Sequence, residues 1–234
     1  MPLRILHTND FHGNLDERRF DALVQLRENV NVYFDNGDAI KTGNLGIPLR
    51  EEPVWKLLDA LRCTASVLGN RETHVLESAF QAKLKGATHP ILCANLRRKD
   101  GSRPLPSHLI VEAAGIRVGI VGVMVAMVTE RMKTRGASAY LWDDPIATAV
   151  ALGPELRPQV DVLIALTHVG VRQDERLAAT TDLYDLILGG HSHTVLEEPL
   201  VVNGTPILQA GSHGRFAGLY EWDGGKLDAR LVPI

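Results

Sequence analysis

Short apolar runs rich in β-branched residues recur along this chain, with amphipathic stretches between them. Leu3-Arg4-Ile5-Leu6-His7, Asn31-Val32-Tyr33-Phe34-Asp35 and Thr64-Ala65-Ser66-Val67-Leu68 each predict a strand. Between them, Phe20, Leu23, Val24 and Leu26 fall at helical spacing, as do Val54, Trp55, Leu57, Leu58 and Leu61. The first third therefore predicts β-α-β units. The middle changes character: Leu109 to Ala113 and Ile116 to Val121 flank Ala114-Gly115 and predict a hairpin. Helical spans are expected near 124–134 and 145–157. Val160 to Leu166 and Leu186 to Leu188 return to the buried-strand pattern, with a helix expected from about Arg172 to Ala179. Strands then follow around Val201, Ile207 and Tyr220 and over Leu227 to Val232, with Gly224-Gly225 as a turn. The rhythm as a whole is that of an α/β fold.

With 234 residues, 45% of them hydrophobic, the chain has material for one large core, and no repeat or long linker divides it. A single domain over 1–234 is the expectation. The formal net charge is -3, without a basic stripe to follow a polyanionic backbone. A long nucleic acid is therefore not an expected partner, whereas a small anion is compatible. The apolar start, Met1 to Leu6, is too soon interrupted by His7 and Asp10 to act as a signal or membrane span. The expected setting is cytoplasmic, with no membrane partner. Cys63 and Cys93 are isolated, with no C-x-x-C spacing, and are read as idle thiols. No feature of the sequence sets an oligomeric state.

The candidate chemistry sits where the apolar runs end. Asp10-x-His12, Gly37-Asp38, Gly69-Asn70, Thr167-His168 and Gly190-His191-Ser192-His193 each place a metal-ligating side chain within a few residues of a predicted strand terminus. In a sheet of parallel strands, carboxyl ends open onto one edge, where α/β proteins bind ligands. Seven oxygen and imidazole donors gathered there suit two divalent ions sharing one carboxylate, and so metal-assisted hydrolysis. Each piece also has an ordinary reading. Asp10 and His12 could form a polar turn before a helix starting near Asp16, and Gly37-Asp38 and Gly69-Asn70 could be β-turns. His168 could be a satisfied core histidine. Two imidazoles two residues apart after a tight glycine turn, His191 and His193, have no obvious packing use.

The order of these motifs resembles the calcineurin-like metallophosphoesterase superfamily, whose pattern runs D-x-H, G-D, G-N-H, H and G-H-x-H. Leu6-His7-Thr8-Asn9-Asp10-Phe11-His12-Gly13 is most similar to the opening of its 5′-nucleotidase and cyclic-nucleotide phosphodiesterase branch, and the likeness runs to about Gly214. The resemblance implies a four-layer α/β/β/α sandwich. It also implies one metal held by Asp10, His12, Asp38 and His193, and a second by Asp38, Asn70, His168 and His191, with Asp38 bridging. Such cations stand about 3.5 to 4 Å apart, and a shared carboxylate offsets their repulsion. Their identity is open to manganese, zinc or iron, since no thiolate is present to select among them.

Two departures from the family pattern bear on function. Where the family reads G-N-H-E, this chain reads Gly69-Asn70-Arg71-Glu72, so the histidine that assists the leaving group is an arginine. A guanidinium offers charge and paired hydrogen bonds but no transferable proton. Arg71 is therefore expected to bind the phosphate or stabilise the leaving oxygen, with His74 as a candidate proton donor; a site that binds metal but turns over poorly is the third option. The branch also commonly carries a C-terminal domain that holds the nucleoside, and with the sequence stopping at Ile234 no such domain is expected here. His213 is read as a turn residue near the pocket rim, His7 as packed beneath the site, and His89 and His108 as carrying no signal. Arg97-Arg98-Lys99-Asp100-Gly101, with Asn95 before it, is read as a solvated turn. The expected activity is hydrolysis of a small phosphomonoester such as a nucleotide. The alternatives are a phosphodiesterase acting on cyclic nucleotides or another small diester, and a non-catalytic metal-binding scaffold.

Overall fold

The computed structural model describes residues 2–234. Strand β1 (Leu3–Thr8), helix α1 (Glu17–Arg27), β2 (Val32–Asp35), α2 (Pro53–Ala60), β3 (Ala65–Val67), α3 (Glu77–Leu84) and β4 (Ile91–Leu92) make the first run. Strand β5 (Leu96–Arg98), the hairpin of β6 (His108–Ala113) and β7 (Ile116–Met124), β8 (Tyr140–Trp142) and α4 (Pro145–Leu156) follow. The chain continues through β9 (Val162–His168), α5 (Val171–Thr180), β10 (Leu186–Leu188), β11 (Leu200–Val202), β12 (Thr205–Leu208), β13 (Phe216–Asp223) and β14 (Lys226–Pro233).

One six-stranded sheet has the order β14-β13-β1-β2-β3-β4 and another β11-β12-β10-β9-β7-β6, while β5 and β8 pair separately. The two large sheets face each other across one apolar layer, in which Ile5, Phe34 and Val67 meet Ile120, Ile164 and Leu188. The outer face of the first sheet, with Leu6 and Tyr33, is covered by Leu23 of α1, Trp55 and Leu58 of α2 and Phe80 of α3. On the second sheet, Val121, Leu163, Ala165 and Ile187 lie under Ile146 and Ala149 of α4 and Leu177 and Ala178 of α5. This is the four-layer α/β/β/α sandwich that the resemblance implies. A strand covered on both faces needs apolar side chains at successive positions rather than alternate ones, and β9 is buried along its whole length.

Local signals set the helix starts. Asp16 caps α1 by accepting the Arg19 N–H at 3.0 Å, and Asp144 caps α4 by accepting the Ala147 N–H at 2.8 Å, with Pro145 in the first turn. One expected helix is absent. Residues near 124–134 leave β7 as an irregular segment with only a short 3-10 turn at Lys133–Gly136. The Val125 N–H goes to His168 O at 2.9 Å, and Val128 O accepts the Trp142 N–H at 2.8 Å, so tertiary partners take backbone groups that a helix would have paired internally. The expected solvated turn at Arg97–Gly101 is also revised: Arg97 and Arg98 belong to β5, paired with Leu141 and Tyr140 of β8, and Asn95 is fully buried.

Strand direction places the ends that matter. β1, β2 and β3 are parallel, with Thr8 opposite Asp35 and Asp35 opposite Ser66. β7, β9, β10 and β12 are parallel in the other sheet, with Met124 opposite His168. Because β13 is antiparallel to β1, its first residues return to the edge where β1 ends. Among the described residues no helix is long and apolar enough to cross a membrane. Cys63 and Cys93 are both free and buried.

Candidate metal centre

The backbone turns sharply at each of these strand ends. Asp10, His12, Asp38, His191 and His193 all have left-handed backbone, with φ of 55°, 52°, 51°, 75° and 56°. Asp and His enter this region more readily than most residues, but a side chain there still costs on the order of 1–3 kcal/mol. The strain is offset by a ladder that continues past the strands: Asp10 N–H to Gly37 O at 2.9 Å, His12 N–H to Asp38 O at 2.8 Å and Gly13 N–H to Ala39 O at 2.9 Å. The two loops after β1 and β2 are thereby zipped together, so Asp10, His12 and Asp38 act as one unit.

Around that unit the expected donors converge. Asp10 Oδ1 lies 3.3 Å from His12 Nε2 and 3.2 Å from His193 Nε2. Asp38 faces both ways: Oδ2 is 3.6 Å from His12 Nε2 and Oδ1 is 3.5 Å from His168 Nε2. Asn70 Oδ1 is 3.2 Å from His168 Nε2 and 2.9 Å from His191 Nδ1. Asp10, His12 and His193 form one cluster of suitable metal-ligating geometry, and Asp10, Asp38 and His168 another. All seven candidate ligands therefore meet at one edge, although their segments lie as far apart in sequence as Asp10 and His193.

The placement of protons shows what this cluster is suited to hold. His168 Nδ1 is 2.6 Å from the Asn36 carbonyl, which can only accept, so Nδ1 carries the proton and Nε2 presents a lone pair. Asn70 Nδ2 donates to Asn44 Oδ1 at 3.0 Å, which turns Asn70 Oδ1 inward. In its neutral form His168 therefore turns the Nε2 lone pair toward Asn70 Oδ1 and Asp38 Oδ1, three acceptors that only a proton or a cation among them can reconcile. Acceptors repel at such distances unless a cation lies among them. A ligand imidazole with its other nitrogen tied to a backbone carbonyl is the arrangement metal sites use. The residues present therefore fit divalent cations.

Electrostatics point the same way. Burial alone would raise the Asp10 pKa, yet hydrogen bonds from His12 and His193 hold its carboxyl well below the usual carboxylate range. Its bond to Asp10 raises His193, while burial and the neighbouring His168 lower His191. Glu72, buried beneath, is pushed upward by desolvation and by the charge of Asp38. Glu72 Oε2 accepts the Asp38 N–H at 2.9 Å and the Gly69 N–H at 3.0 Å, and Oε1 the Ile40 N–H at 3.2 Å. It clasps the Asp38 and Asn70 turns together. Gly69 is required at this junction, because a Cβ there would lie 2.2 Å from Asp38 N.

Arg71 belongs to the site. Its N–H donates to Asp38 Oδ1 at 2.7 Å, its Nε is 4.0 Å from Asp38 Oδ2, and its Nη1 donates to Lys41 O at 3.0 Å. His74 is differently engaged: its Nδ1 accepts the Leu76 N–H at 3.0 Å, and among the described residues no hydrogen bond joins it to the cluster. His213 stands closer than a rim turn would suggest, its ring centroid 4.9 Å from that of His12 and 5.8 Å from that of His193. Its N–H donates to Asp10 O at 2.7 Å, and its φ of 60° matches the left-handed turns of the candidate ligands.

Sequence reasoning also misses the pins behind the site. Asn36 Nδ2 donates to Thr167 O at 3.1 Å and to Leu188 O, and so joins the two sheets. Asn9 Nδ2 donates to Gly211 O at 2.6 Å, while its Oδ1 accepts the Ala210 N–H at 3.0 Å. Both asparagines are buried, and each lies next to a motif, the one signal that could mark them.

Known proteins resemble this chain in sequence and in fold. The chain is 29% identical over 289 residues to a 5′-nucleotidase of Vibrio cholerae, covering 99% of this chain and 51% of that one. It is 28% identical over 267 residues to a 5′-nucleotidase of Homo sapiens, covering 99% and 43%. The fold superposes on the crystal structure of a 5′-nucleotidase precursor from Thermus thermophilus with a TM-score of 0.82 at 23% identity, over 100% of this chain and 55% of that one. The chain spans about half the length of the curated relatives it matches. A family model described as calcineurin-like phosphoesterase matches residues 3–195, which takes in every candidate ligand, and the chain belongs to that family.

Proposed function

We propose that this chain hydrolyses a phosphate ester with two divalent cations, and that its substrate is a small phosphomonoester of the nucleotide type. The observation that carries the reading is the Asp38 carboxylate, whose two oxygens face different imidazoles, His12 at 3.6 Å and His168 at 3.5 Å. A carboxylate that serves two donor sets at once is what a cation pair needs. Asp10, His12 and His193 would complete one set, and Asn70, His168 and His191 the other. Ions held by these residues would supply a water of pKa about 7 and positive charge for the phosphoryl oxygens.

The chain's own residues do the rest. Asn36 fixes the His168 tautomer, Glu72 sets the Asp38 turn, and the two clustered loops hold the carboxylates without reorganisation. Arg71, with its side chain 27% exposed beside Asp38, offers a fixed positive charge to the phosphoryl group or its leaving oxygen. The substrate class rests on the 5′-nucleotidases among the relatives. Arg71 itself favours a second reading. A site without a histidine acid suits a good leaving group or a cyclic diester better than an alkyl monoester.

The test is turnover of an aryl phosphate, an aryl phosphodiester and a nucleoside monophosphate by protein reconstituted with Mn²⁺ or Zn²⁺. Metal-dependent release of phosphate, abolished in Asp38→Asn, is expected, and faster reaction of the diester would move the assignment to a phosphodiesterase. Two bound ions with no turnover of any ester would instead support a metal-binding scaffold.

A further inference from the structure

Lys83 lies on α3, away from the ligand motifs, and is fully buried. Its ammonium is surrounded by main-chain oxygens: Nζ donates to Gly43 O at 2.9 Å, Asn44 O at 3.0 Å, Arg71 O at 2.6 Å and Thr73 O at 2.9 Å. An ammonium has three protons, so four carbonyls share them. Burying a charge without such partners is costly, and four carbonyl oxygens aimed at one point would repel without it. Lys83 therefore does here what a structural cation does elsewhere.

The carbonyls come from two loops, and both reach the site. The Gly43–Asn44 segment supplies Asn44 Oδ1, which holds Asn70 Nδ2 at 3.0 Å and so turns Asn70 Oδ1 toward His168 and His191. Close by in the same segment, Lys41 O holds Arg71 Nη1 at 3.0 Å. The Arg71 and Thr73 carbonyls belong to the turn that carries Asn70. We propose that Lys83 is a positioning residue for the half of the metal centre built on Asn70, His168 and His191, acting by clamping the Asn44 loop to the Asn70 turn. The inference rests on the two-cation reading. It adds that one cation site, and not its neighbour at Asp10, His12 and His193, depends on a lysine that touches neither.

The experiment is a Mn²⁺ titration of the full chain, followed by calorimetry and by the electron-spin signal of the ion, for the parent, Lys83→Met and Asn44→Ala, with folding checked by circular dichroism. The parent should take two ions. In both variants one ion should bind about 10- to 100-fold more weakly, the usual cost of losing a group that orients a ligand, and the other should keep its parental affinity. Equal weakening of both ions would reduce Lys83 to a general structural role, and parental affinity for both would also overturn the proposal. If Lys83→Met fails to fold, parental affinity for both ions in Asn44→Ala overturns the proposal, since Asn44 is exposed and is the side chain through which the clamped loop holds Asn70, and weakening of one ion alone supports it. Two ions bound by the parent without hydrolysis of any ester would sink the hydrolytic reading and leave this test intact, whereas a parent that binds none would overturn both.

Discussion

At the scale of single residues, the departure with most consequence is Arg71. Its guanidinium is fastened at Nη1 to Lys41 O, and its own N–H is spent on Asp38, so its position is set before any substrate arrives. A preplaced charge acts most where charge develops most, which for ester cleavage is the leaving oxygen when that oxygen is a poor leaving group. Arg71→Ala should therefore lower kcat by roughly 10² to 10³ on an alkyl phosphate and by much less on a nitrophenyl phosphate. A plot of log kcat against leaving-group pKa would become steeper in the variant. An equal fall on every substrate would assign Arg71 to phosphate binding alone. His213 shows the complementary lesson. The Ser212-His213-Gly214 turn carries no ligand spacing, and only the antiparallel return of β13 to the β1 edge brings its ring beside His12.

At the scale of elements, what can be read in advance depends on how each segment is buried. Strands covered on both faces, such as β9, are continuous apolar runs, and helices with one apolar stripe, such as α2 with Val54, Trp55 and Leu58, show their period. Helix α3 escapes notice because its buried face is Ala79, Phe80 and Lys83, and a lysine breaks the apolar count. The candidate ligands are legible because they sit at strand ends, whereas Lys83 acts through backbone carbonyls that leave no trace in residue pattern, and Glu72, Asn9 and Asn36 are marked only by standing in or beside a motif. The segment after Met124 misleads because its apolar residues serve a loop whose hydrogen bonds run to β9 and β8. Gly122 of β7 marks a further hidden constraint: a Cβ there would lie 2.5 Å from Leu92 Cβ of β4, where the two sheets approach. Gly122→Ala should cost about 1–3 kcal/mol by overpacking. Urea unfolding would measure it, and Mn²⁺ affinity of the folded variant should stay at the parental value. A variant as stable as the parent would show that the sheets can separate there without cost.

The whole molecule buries its first histidine so completely that its charge becomes a folding problem. His7 on β1 has no exposed surface, and its Nδ1 is 3.1 Å from Tyr220 Oη. Burial, only partly opposed by Asn36 and Asp10, brings its pKa down to about 3. The unfolded chain takes up a proton at this residue near pH 6.5, while the folded chain refuses it until about pH 3. Between those values the unfolded state binds more protons, so stability rises with pH, and acidification from 6.5 toward 3 destabilises the fold. By pH 5 this one group should remove about 2 kcal/mol relative to pH 7, because each pH unit below 6.5 is worth about 1.4 kcal/mol. The effect belongs to the domain as a whole, since His7 reaches water only when the core around β1 opens. His7→Leu, which has nothing to titrate, should therefore lose less stability between pH 7 and pH 5 than the parent, by about 2 kcal/mol. Denaturant unfolding at both pH values, in chelator so that no bound ion adds its own pH dependence, would read the difference directly. Identical slopes would mean that the folded chain protonates His7 as easily as the unfolded chain does, and that its apolar surroundings admit water.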